Sequence, residues 1–430
     1  MNKLTTLAAS FLVFINLVML NPILHAQTGT IVASVSTGSP GVSQQGSILH
    51  LSALRWEWAP SPLSAPLAPD ANPAKVVQLQ FQPLNPGQLA NLEQLLPGQG
   101  GYIWLRAEFP PLSMYTPRPI GLFLGRVTMA DQTWVNGYFV GSTGRFPPNY
   151  FSSWNISREY AIPPEAITLG QPIQVYIHIW VDREGSLASK PFIGFREQTV
   201  HASRWENFWN ININLMFAAV MLIIALYHFI LYFKRPKDKE NRSFALLNFF
   251  TSIYSTNFFI FEIPGFPPLW LNYLTFQKFI MVALFYLTFK LAGFVRDYLR
   301  RSEPLWVRYG RLIMLLIPLA VILFSPDYGS LRQVRLLTQI FLIPPLLYVL
   351  YMVINSLYKQ DSDALPLLFG FSPLFLTSLL DIVLHEVFKL YNFPYIAGFG
   401  WQIVLISFLF LLAGRFAQAR NEAEDLNIHL

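Results

Sequence analysis

Seven apolar blocks, separated by short polar segments, fill most of the chain between Ile211 and Phe416. A helix needs about 20 mostly apolar residues to cross the hydrocarbon core of a bilayer. We therefore predict an all-α bundle of seven transmembrane helices in a lipid bilayer. The predicted spans are 211–233, 244–263, 269–295, 312–324, 336–357, 365–384 and 396–416. The fourth span is short, and we expect its helix to extend back to Val307 and Tyr309.

The basic residues of this half predict its orientation. The segments on one side of the predicted spans hold 13 Lys and Arg, and the segments on the other side hold 3. Basic residues are enriched in cytoplasmic loops. We therefore predict a multi-pass membrane protein with an exported N-terminal domain and a cytoplasmic C-terminus.

Composition and motifs exclude several classes of function. Residues 27–206 carry 11 Lys and Arg and 11 Asp and Glu, so most of the net charge of +6 belongs to the membrane half and indicates no nucleic-acid partner. The chain has no cysteine, which excludes disulfides, thiolate metal sites and cysteine nucleophiles. The sequence also has no phosphate-binding glycine loop, no HExxH pair and no nucleophile elbow. We predict no enzyme activity, no metal and no cofactor within these residues.

The N-terminus has the pattern of a targeting segment. Lys3 precedes an apolar run over 7–20, Asn21 and Pro22 interrupt it, and Ala26 supplies a small residue. This pattern predicts a secretory signal peptide, 1–26, with cleavage after Ala26. The alternative is an uncleaved signal anchor, for which the run is short. Residues 27–48 are rich in Ser, Gly, Thr and Gln and predict a flexible leader.

Residues 49–203 alternate short β-type runs with Pro, Gly and Asn, which predicts an all-β jelly-roll sandwich. Almost every residue over 175–181 is bulky, so we expect both faces of that strand to be covered. The predicted strands are 76–81, 102–109, 120–129, 132–140, 159–162 and 173–181.

One motif of this domain is specific. Asn136-Gly137 lies between two β-type runs and predicts a type I′ hairpin, because both central residues of that turn need positive φ. The stretch 131–141 resembles a hairpin of galactose-binding jelly rolls, including the non-catalytic domains of β-galactosidase-like hydrolases, and 55–58 and 101–106 match the early strands of that fold. The resemblance implies a carbohydrate or small polar ligand near Trp104, Trp134 and Asn136, with an indole as the stacking surface. The alternative is that Trp134, Asn136 and Gly137 only build the hairpin.

Two ionisable residues fall within predicted spans. Lys278 lies in the third span and Asp381 in the sixth. Charged groups inside a membrane mark functional sites by default, and we predict that this pair forms an intramembrane polar relay. The alternative is that Asp381 lies at the water interface and that Lys278 extends its ammonium group outward.

The C-terminal segment carries a heptad pattern that continues from the seventh span. Its apolar positions recur in steps of 4 and 3, at Leu405, Leu409, Leu412, Phe416, Ala419, Ala423, Leu426 and Leu430. A continuous seam of this kind predicts that residues 417–430 begin a coiled-coil linker in a homodimer. The alternative is an ordinary amphipathic end helix.

In the order of these segments, the chain resembles the bacterial seven-transmembrane receptors with diverse intracellular signalling modules. The resemblance covers residues 51–416, within which residues 204–416 form the predicted membrane domain. That family implies a multi-pass protein of the bacterial inner membrane, with a periplasmic sensor domain and a cytoplasmic output such as a histidine kinase or a cyclase. This sequence contains no such module, so we expect a missing or separate output partner. We predict a signal-transduction receptor whose jelly roll senses a ligand, with carbohydrate as one expected class. The alternative is a transporter or a membrane-embedded sugar-modifying enzyme with an accessory jelly roll.

Overall fold

The computed structural model of the protein describes residues 49–76, 79–97, 100–113, 117–361, 364–381, 383–384, 388, 393 and 395–428. The predicted signal peptide, 1–26, and the leader, 27–48, lie outside these residues. The chain divides into the units Met1–His50 and Leu51–Leu430. The second unit contains both the β-rich part and the helical part.

Two β-sheets form the β-rich part, as predicted for an all-β sandwich. The strands are β1 (His50–Ser52), β2 (Arg55–Pro60), β3 (Gln82–Leu84), β4 (Gly100–Phe109), β5 (Ile120–Arg126), β6 (Ala130–Val135), β7 (Tyr138–Thr143), β8 (Ser157–Ile162), β9 (Ile173–Asp182) and β10 (Phe192–Phe195). One sheet has the order β1-β10-β5-β8, and the other has the order β3-β2-β4-β9-β6-β7. Strands β4 and β9 pair antiparallel over ten residues each, with Gly100 opposite Asp182 and Phe109 opposite Ile173.

Burial of both faces explains the dense apolar sequence of β9. Val175, Ile177 and Ile179 are fully buried on one face, and Tyr176 and His178 are buried on the other. β-branched residues pack well on such a pleated, covered surface. The predicted coverage of this strand on both sides is confirmed.

The predicted hairpin is confirmed, and one predicted strand is wrong. Asn136 and Gly137 have φ angles of 49° and 88°, as a type I′ turn requires. Of the predicted strand 76–81, Val76 ends a short helix, α1 (Pro73–Val76), and the described residues 79–81 are not in a strand; the strand comes later, at β3. Proline favours the first turn of a helix, and the Asn72 side chain accepts a hydrogen bond from the Ala74 N–H at 3.0 Å.

One long helical segment connects the sandwich to the membrane half. It comprises α2 (Arg196–Asn207), a π-helical turn (Phe208–Asn212) and α3 (Ile213–Lys234). Helix α2 packs on the sandwich, where the Thr199 hydroxyl donates to Glu159 at 2.9 Å and the Ser203 hydroxyl donates to the carbonyl of Ser157 at 3.1 Å. The predicted domain boundary at residue 203 therefore falls within a helix.

Apolar helices occupy the predicted spans. The further helices are α4 (Lys239–Phe259), α5 (Tyr273–Tyr298), α6 (Leu305–Phe324), α7 (Tyr328–Ile340), α8 (Ile343–Tyr358), α9 (Ala364–Asp381) and α10 (Ala397–Ile428). Within the described residues, five helices are long and apolar enough to cross a membrane, and α8 and part of α9 are shorter apolar helices. Helix α6, which corresponds to the fourth predicted span, starts at Leu305, and this confirms the predicted extension of that span.

The predicted fifth span, 336–357, is not one helix. Helix α7 ends at Ile340, and α8 begins at Ile343. Pro344 and Pro345 explain the break, because each proline lacks an N–H and its ring clashes with the carbonyl four residues earlier. Those carbonyls belong to Ile340 and Phe341. The prediction of one continuous span at this position is wrong.

Aromatic side chains fill the core of the membrane half. Phe408 of α10 lies 4.5 Å from the ring centroid of Phe294 and 5.2 Å from that of Phe371. Phe244 packs against the same cluster at 5.4 Å from Phe294, and all four side chains are almost fully buried. The core therefore joins α4, α5, α9 and α10.

Helix α10 runs without interruption from the seventh span into the tail, over Ala397–Ile428. At about 1.5 Å per residue it is about 48 Å long, which exceeds a hydrocarbon core of about 30 Å. Leu405 is buried, and Leu412 packs against the same core, so these two positions of the seam contact the chain's own helices. The coiled coil beyond them stays a prediction.

Candidate functional site: the junction of the sandwich and the helices

Residues 151–156, here called the junction loop, connect β7 to β8 and contact the membrane half. The Asn155 amide donates to the carbonyl of Asn210 at 2.6 Å and to that of Phe258 at 3.0 Å. Asn210 belongs to the π-helical turn, and Phe258 lies at the end of α4. One buried side chain thus joins the sandwich to two helices at once. Single π-helical turns are common at functional sites.

A fully buried ion pair holds the junction loop in place. The Arg158 Nε donates to a carboxylate oxygen of Asp131 at 2.8 Å, and both side chains have no exposed surface. The same guanidinium donates to the carbonyls of Ser153 at 2.6 Å and Ile156 at 2.5 Å. The Tyr160 hydroxyl donates to the other Asp131 oxygen at 3.0 Å. The loop conformation therefore depends on a charge network inside the sandwich.

Apolar contacts extend the junction. Phe151 of the junction loop is fully buried, and its ring centroid lies 5.5 Å from that of Tyr273 and 5.2 Å from that of Phe276, both in α5. Next to it, the Arg145 guanidinium donates to the carbonyls of Pro268 at 3.2 Å and Leu271 at 2.6 Å. The sandwich therefore also grips the segment that leads into α5.

A second contact joins the end of β9 to α7. The Glu184 carboxylate accepts a hydrogen bond from the Tyr328 hydroxyl at 2.5 Å and pairs with Arg332 at 3.2 Å. Arg332 also donates to the carbonyl of Arg183 at 2.7 Å. Burial raises the pKa of Glu184, but the guanidinium groups of Arg332 and Arg335 and the Tyr328 hydroxyl together lower it by more. The pKa of Glu184 therefore lies below its ordinary value. Glu184 is therefore an anion at neutral pH.

These two contacts enclose a cavity of about 160 Å³, here called the junction cavity. Aromatic residues of both halves form part of its wall, including Trp154 of the junction loop and Tyr395, which precedes α10. Its charged lining comprises Glu93, Arg126, Glu184, Arg332 and Arg335. A concave site with aromatic walls and a few convergent charged groups is the usual form of a small-molecule site.

The residues predicted to bind a ligand lie elsewhere, inside the sandwich. Trp104 and Trp134 are 1% and 0% exposed, with ring centroids 5.6 Å apart. The Trp104 indole stacks on His178 at 4.3 Å and donates to the Ser61 hydroxyl at 3.1 Å. A ligand that stacks on either indole would first have to displace the residues that cover them. Ligand binding by this pair stays a prediction.

Asn136 has partners within the sandwich. Its amide nitrogen donates to the carbonyl of Ala166 at 2.7 Å, and its amide oxygen accepts from the N–H of Gln174 at 2.8 Å. These bonds fix the hairpin against the neighbouring strand and loop. They account for the residue by folding, and its predicted role in ligand binding stays untested.

The structure gives Lys278 and Asp381 separate partners. The Lys278 ammonium donates to the carbonyl of Leu323, near the end of α6, at 2.9 Å. The two Asp381 carboxylate oxygens accept from the N–H groups of Ile396 at 2.9 Å and Ala397 at 2.7 Å. Asp381 thus caps the start of α10, where a carboxylate also meets the favourable end of the helix dipole. Their predicted role as a relay stays a prediction.

The sequence did not lead us to expect the charged residues of the junction. Arg332 and Arg335 are two of the three basic residues on the less basic side of the predicted spans. Tyr328, Arg332 and Arg335 follow one another in steps of 4 and 3, which places them on one face of a helix. That spacing was the only sign in the sequence that these three side chains lie together. The position of Glu184 and Arg126 next to them depends on how the sandwich and the helices pack.

The membrane half has a family match that decides its class. Residues 210–415 match the family model described as 7TM diverse intracellular signalling. The match covers a little under half of the chain. The match supports a membrane signalling receptor and confirms the predicted resemblance for the seven-transmembrane signalling domain.

Solved structures give weaker likenesses. The Faecalibacterium prausnitzii β-glucuronidase is 15% identical, with 33% of this chain and 22% of that chain covered and a TM-score of 0.24. The Ruminococcus gnavus β-glucuronidase in complex with a C6-substituted uronic isofagomine is 13% identical, with coverages of 36% and 30% and a TM-score of 0.26. The chain thus spans less than a third of the length of either structure, and likenesses at these TM-scores carry no argument about activity. No curated protein matches the chain.

The seven-transmembrane signalling domain has a second charge cluster, at the end away from the sandwich. Glu303 pairs with Arg311 of α6 at 2.6 Å and with Arg296 of α5 at 2.8 Å. Arg296 also pairs with Asp297, which accepts a hydrogen bond from the Ser243 hydroxyl of α4 at 2.8 Å. The cluster ties α4, α5 and α6 together at that end.

Proposed function

We propose that this chain is a bacterial inner-membrane receptor that senses a ligand outside the membrane and passes the signal to a cytoplasmic output. The membrane half supports the signalling role through its family match, and the same match favours the receptor over a transporter or a sugar-modifying enzyme. The β-sandwich faces the periplasm and is the ligand-sensing part, with carbohydrate as one class of ligand. The C-terminus lies in the cytoplasm, where α10 of two copies forms a coiled coil that leads to the output.

The observation that carries the proposal is the Asn155 contact with two helices. A signal that shifts the junction loop moves the hydrogen bonds to Asn210 and Phe258 directly. Because buried amide hydrogen bonds are costly to leave unmade, the loop and the helix ends shift together. The junction loop therefore acts as the link between the two halves.

From the π-helical turn, contacts lead on to α10. The Asn214 amide donates to the carbonyl of Asn210 at 3.0 Å, and a Cβ on Gly398 would lie 3.2 Å from the Asn214 oxygen. Phe217 of α3 packs against Phe399 with ring centroids 5.4 Å apart. The start of α10 thus lies against the turn that the junction loop contacts. A shift at this point reaches the cytoplasmic end because α10 is one continuous helix.

A ligand drives this shift only if it binds one arrangement of the junction more tightly than the other. Small displacements at the junction become discrete states because packed interfaces do not deform continuously. We propose that the readout is a change in rotation or register of the paired α10 helices.

Single-cysteine cross-linking tests the proposal, because the natural chain contains no cysteine. Ala423→Cys lies on the heptad seam, and Asn421→Cys lies off it and serves as the matched control. In native membranes under mild oxidation, we expect disulfide-linked dimers to form several-fold faster at position 423 than at position 421. Adding Asn155→Ala should change the rate at position 423 while the protein still folds and inserts.

Two results would contradict the proposal. Equal cross-linking rates at positions 421 and 423 would rule out a dimer along the seam. A rate at position 423 that stays the same with Asn155→Ala would show that the junction loop is not coupled to the cytoplasmic helix. Thermal unfolding of Asn155→Ala in detergent, with a transition as cooperative as that of the natural chain, is the control for folding.

A further inference from the structure

We propose that the junction cavity binds a small organic acid through its carboxylate. This inference rests on the proposed function for its biological meaning, because it names the ligand class of the receptor. The binding itself stands on the geometry of the cavity. The site is distinct from the buried Trp104 and Trp134 pair, which lies within the sandwich.

The size of the cavity limits the ligand. Its volume is about 160 Å³. An apolar cavity of about 150 Å³ binds one benzene molecule in another protein. The junction cavity therefore encloses roughly six or seven non-hydrogen atoms, scaled from the same comparison. It is partly open, so a slightly larger molecule can extend out of it.

The charges of the cavity favour an anion. Three arginines and two glutamates line it, so the formal charge of the lining is positive by one. The charge of Glu184 is already matched by Arg332 and by the Tyr328 hydroxyl. Arg126 is only 4% exposed; burial lowers the pKa of its guanidinium, and the charge of the nearby Glu206 raises it. A carboxylate is the small anion whose two oxygens match the planar fork of a guanidinium.

The aromatic wall accommodates the rest of the ligand. The ring centroid of Trp154 lies 5.8 Å from that of Phe258 and 5.7 Å from that of Tyr395, and Phe258 and Tyr395 are 5.7 Å apart. These three rings come from the junction loop, from α4 and from the segment before α10. A ligand that packs on them touches the junction loop, α4 and the segment before α10 at once. Such contacts favour one relative position of the three elements.

Thermal stabilisation of the full-length protein in lipid nanodiscs tests the inference. The probes are acetate, butyrate, benzoate and succinate, with benzamide as the neutral match for benzoate. Any molecule that binds only the folded state raises the melting temperature with concentration. We expect at least one carboxylate to do so at constant ionic strength, and we expect benzamide to have no effect.

A charge variant separates the cavity from other binding places. Arg335→Gln removes one cation from the lining, and Arg204→Gln removes one from an exposed position of α2 and serves as the matched control. We expect Arg335→Gln to abolish the stabilisation by the carboxylate, Arg335→Lys to retain part of it and Arg204→Gln to retain all of it. Melting without ligand shows that each variant folds.

The outcomes distinguish this inference from the proposed function. No stabilisation of the folded natural chain by any of the four carboxylates would overturn the inference, as would equal stabilisation of the natural chain and Arg335→Gln. If carboxylates bind but cross-linking at position 423 does not respond to Asn155→Ala, the cavity assignment stands and the signalling route fails. If cross-linking responds and no carboxylate binds, the route stands and the ligand assignment fails.

Discussion

The buried pair of Asp131 and Arg158 gives a prediction whose magnitude follows from the structure. Asp131→Asn keeps the size of the side chain and removes its charge. Arg158 then remains inside the sandwich, with no exposed surface, without its counter-ion. Breaking a buried ion pair by removing one partner costs about 3–5 kcal/mol. For a folded region of this size, about 2–4 °C of melting temperature corresponds to each kcal/mol. We therefore expect a fall on the order of 10 °C.

A double variant separates the charge from the packing. Asp131→Leu with Arg158→Met replaces both charges by apolar groups, and such replacements of buried pairs are often neutral or stabilising. We expect the double variant to melt at a higher temperature than Asp131→Asn or Arg158→Met alone. It should still weaken the junction loop, because the hydrogen bonds of Arg158 to Ser153 and Ile156 are lost.

The assay is thermal unfolding of the full-length protein in nanodiscs, followed by tryptophan fluorescence, with a dimer cross-linked at position 423 as the functional readout. Single variants whose free energy of unfolding lies within about 1 kcal/mol of that of the natural chain would refute the reasoning, because even exposed ion pairs contribute up to that much. A double variant whose loss equals the sum of the single losses would refute it as well, since the two groups then would not interact.

Two further predictions concern single groups. Burial lowers the pKa of His178 from 6.5 to about 3, so the unfolded chain binds a proton first as pH falls. The contribution of His178 to stability is therefore complete above about pH 6.5, and the free energy of unfolding should decrease by about 2 kcal/mol at pH 5. This would be contradicted if His178→Gln and the natural chain lose stability with the same slope between pH 7 and pH 4. Glu303→Gln removes the carboxylate that pairs with Arg311, which is 7% exposed, and should lower the free energy of unfolding by about 3–5 kcal/mol. Asp238→Asn breaks an exposed pair with Arg235 and should lower it by less than about 1 kcal/mol. Equal losses would show that burial of the pair does not determine its contribution to stability.

Local patterns predicted the parts of the fold that depend on neighbours in sequence. Asn136-Gly137 specified its turn because few residues adopt positive φ at both positions. The apolar blocks specified helices because a bilayer leaves no other partner for backbone groups. The sequence predicts one span over 336–357, but the helix ends before Pro344, since the carbonyls of Ile340 and Phe341 lose their helical partners together. Local sequence indicates a perturbation there but not how the chain resolves it.

The site was out of reach of the same patterns. The resemblance to galactose-binding jelly rolls implies a ligand near Trp134 and Trp104, but their burial is set by residues far away in sequence, and both lie inside the sandwich. Lys278 was placed deep in a span that begins at residue 269, whereas its helix starts at Tyr273 and brings it within reach of the carbonyl of Leu323. The junction cavity depends on the packing of two separately patterned halves, and no stretch of sequence contains it.

The place of the cavity also decides how strongly a ligand can act. Trp154 adjoins Asn155 in the junction loop, and its ring lies 5.7 Å from Tyr395, two residues before α10. A ligand between them need not transmit its effect through the sandwich core. A tenfold change in the ratio of two arrangements needs a difference in binding free energy of about 1.4 kcal/mol. One hydrogen bond between a carboxylate and an arginine contributes about 1.5–3 kcal/mol. A single such bond, made in one arrangement and broken in the other, is therefore enough to shift the receptor, and a ligand that keeps all its bonds in both arrangements would bind without signalling.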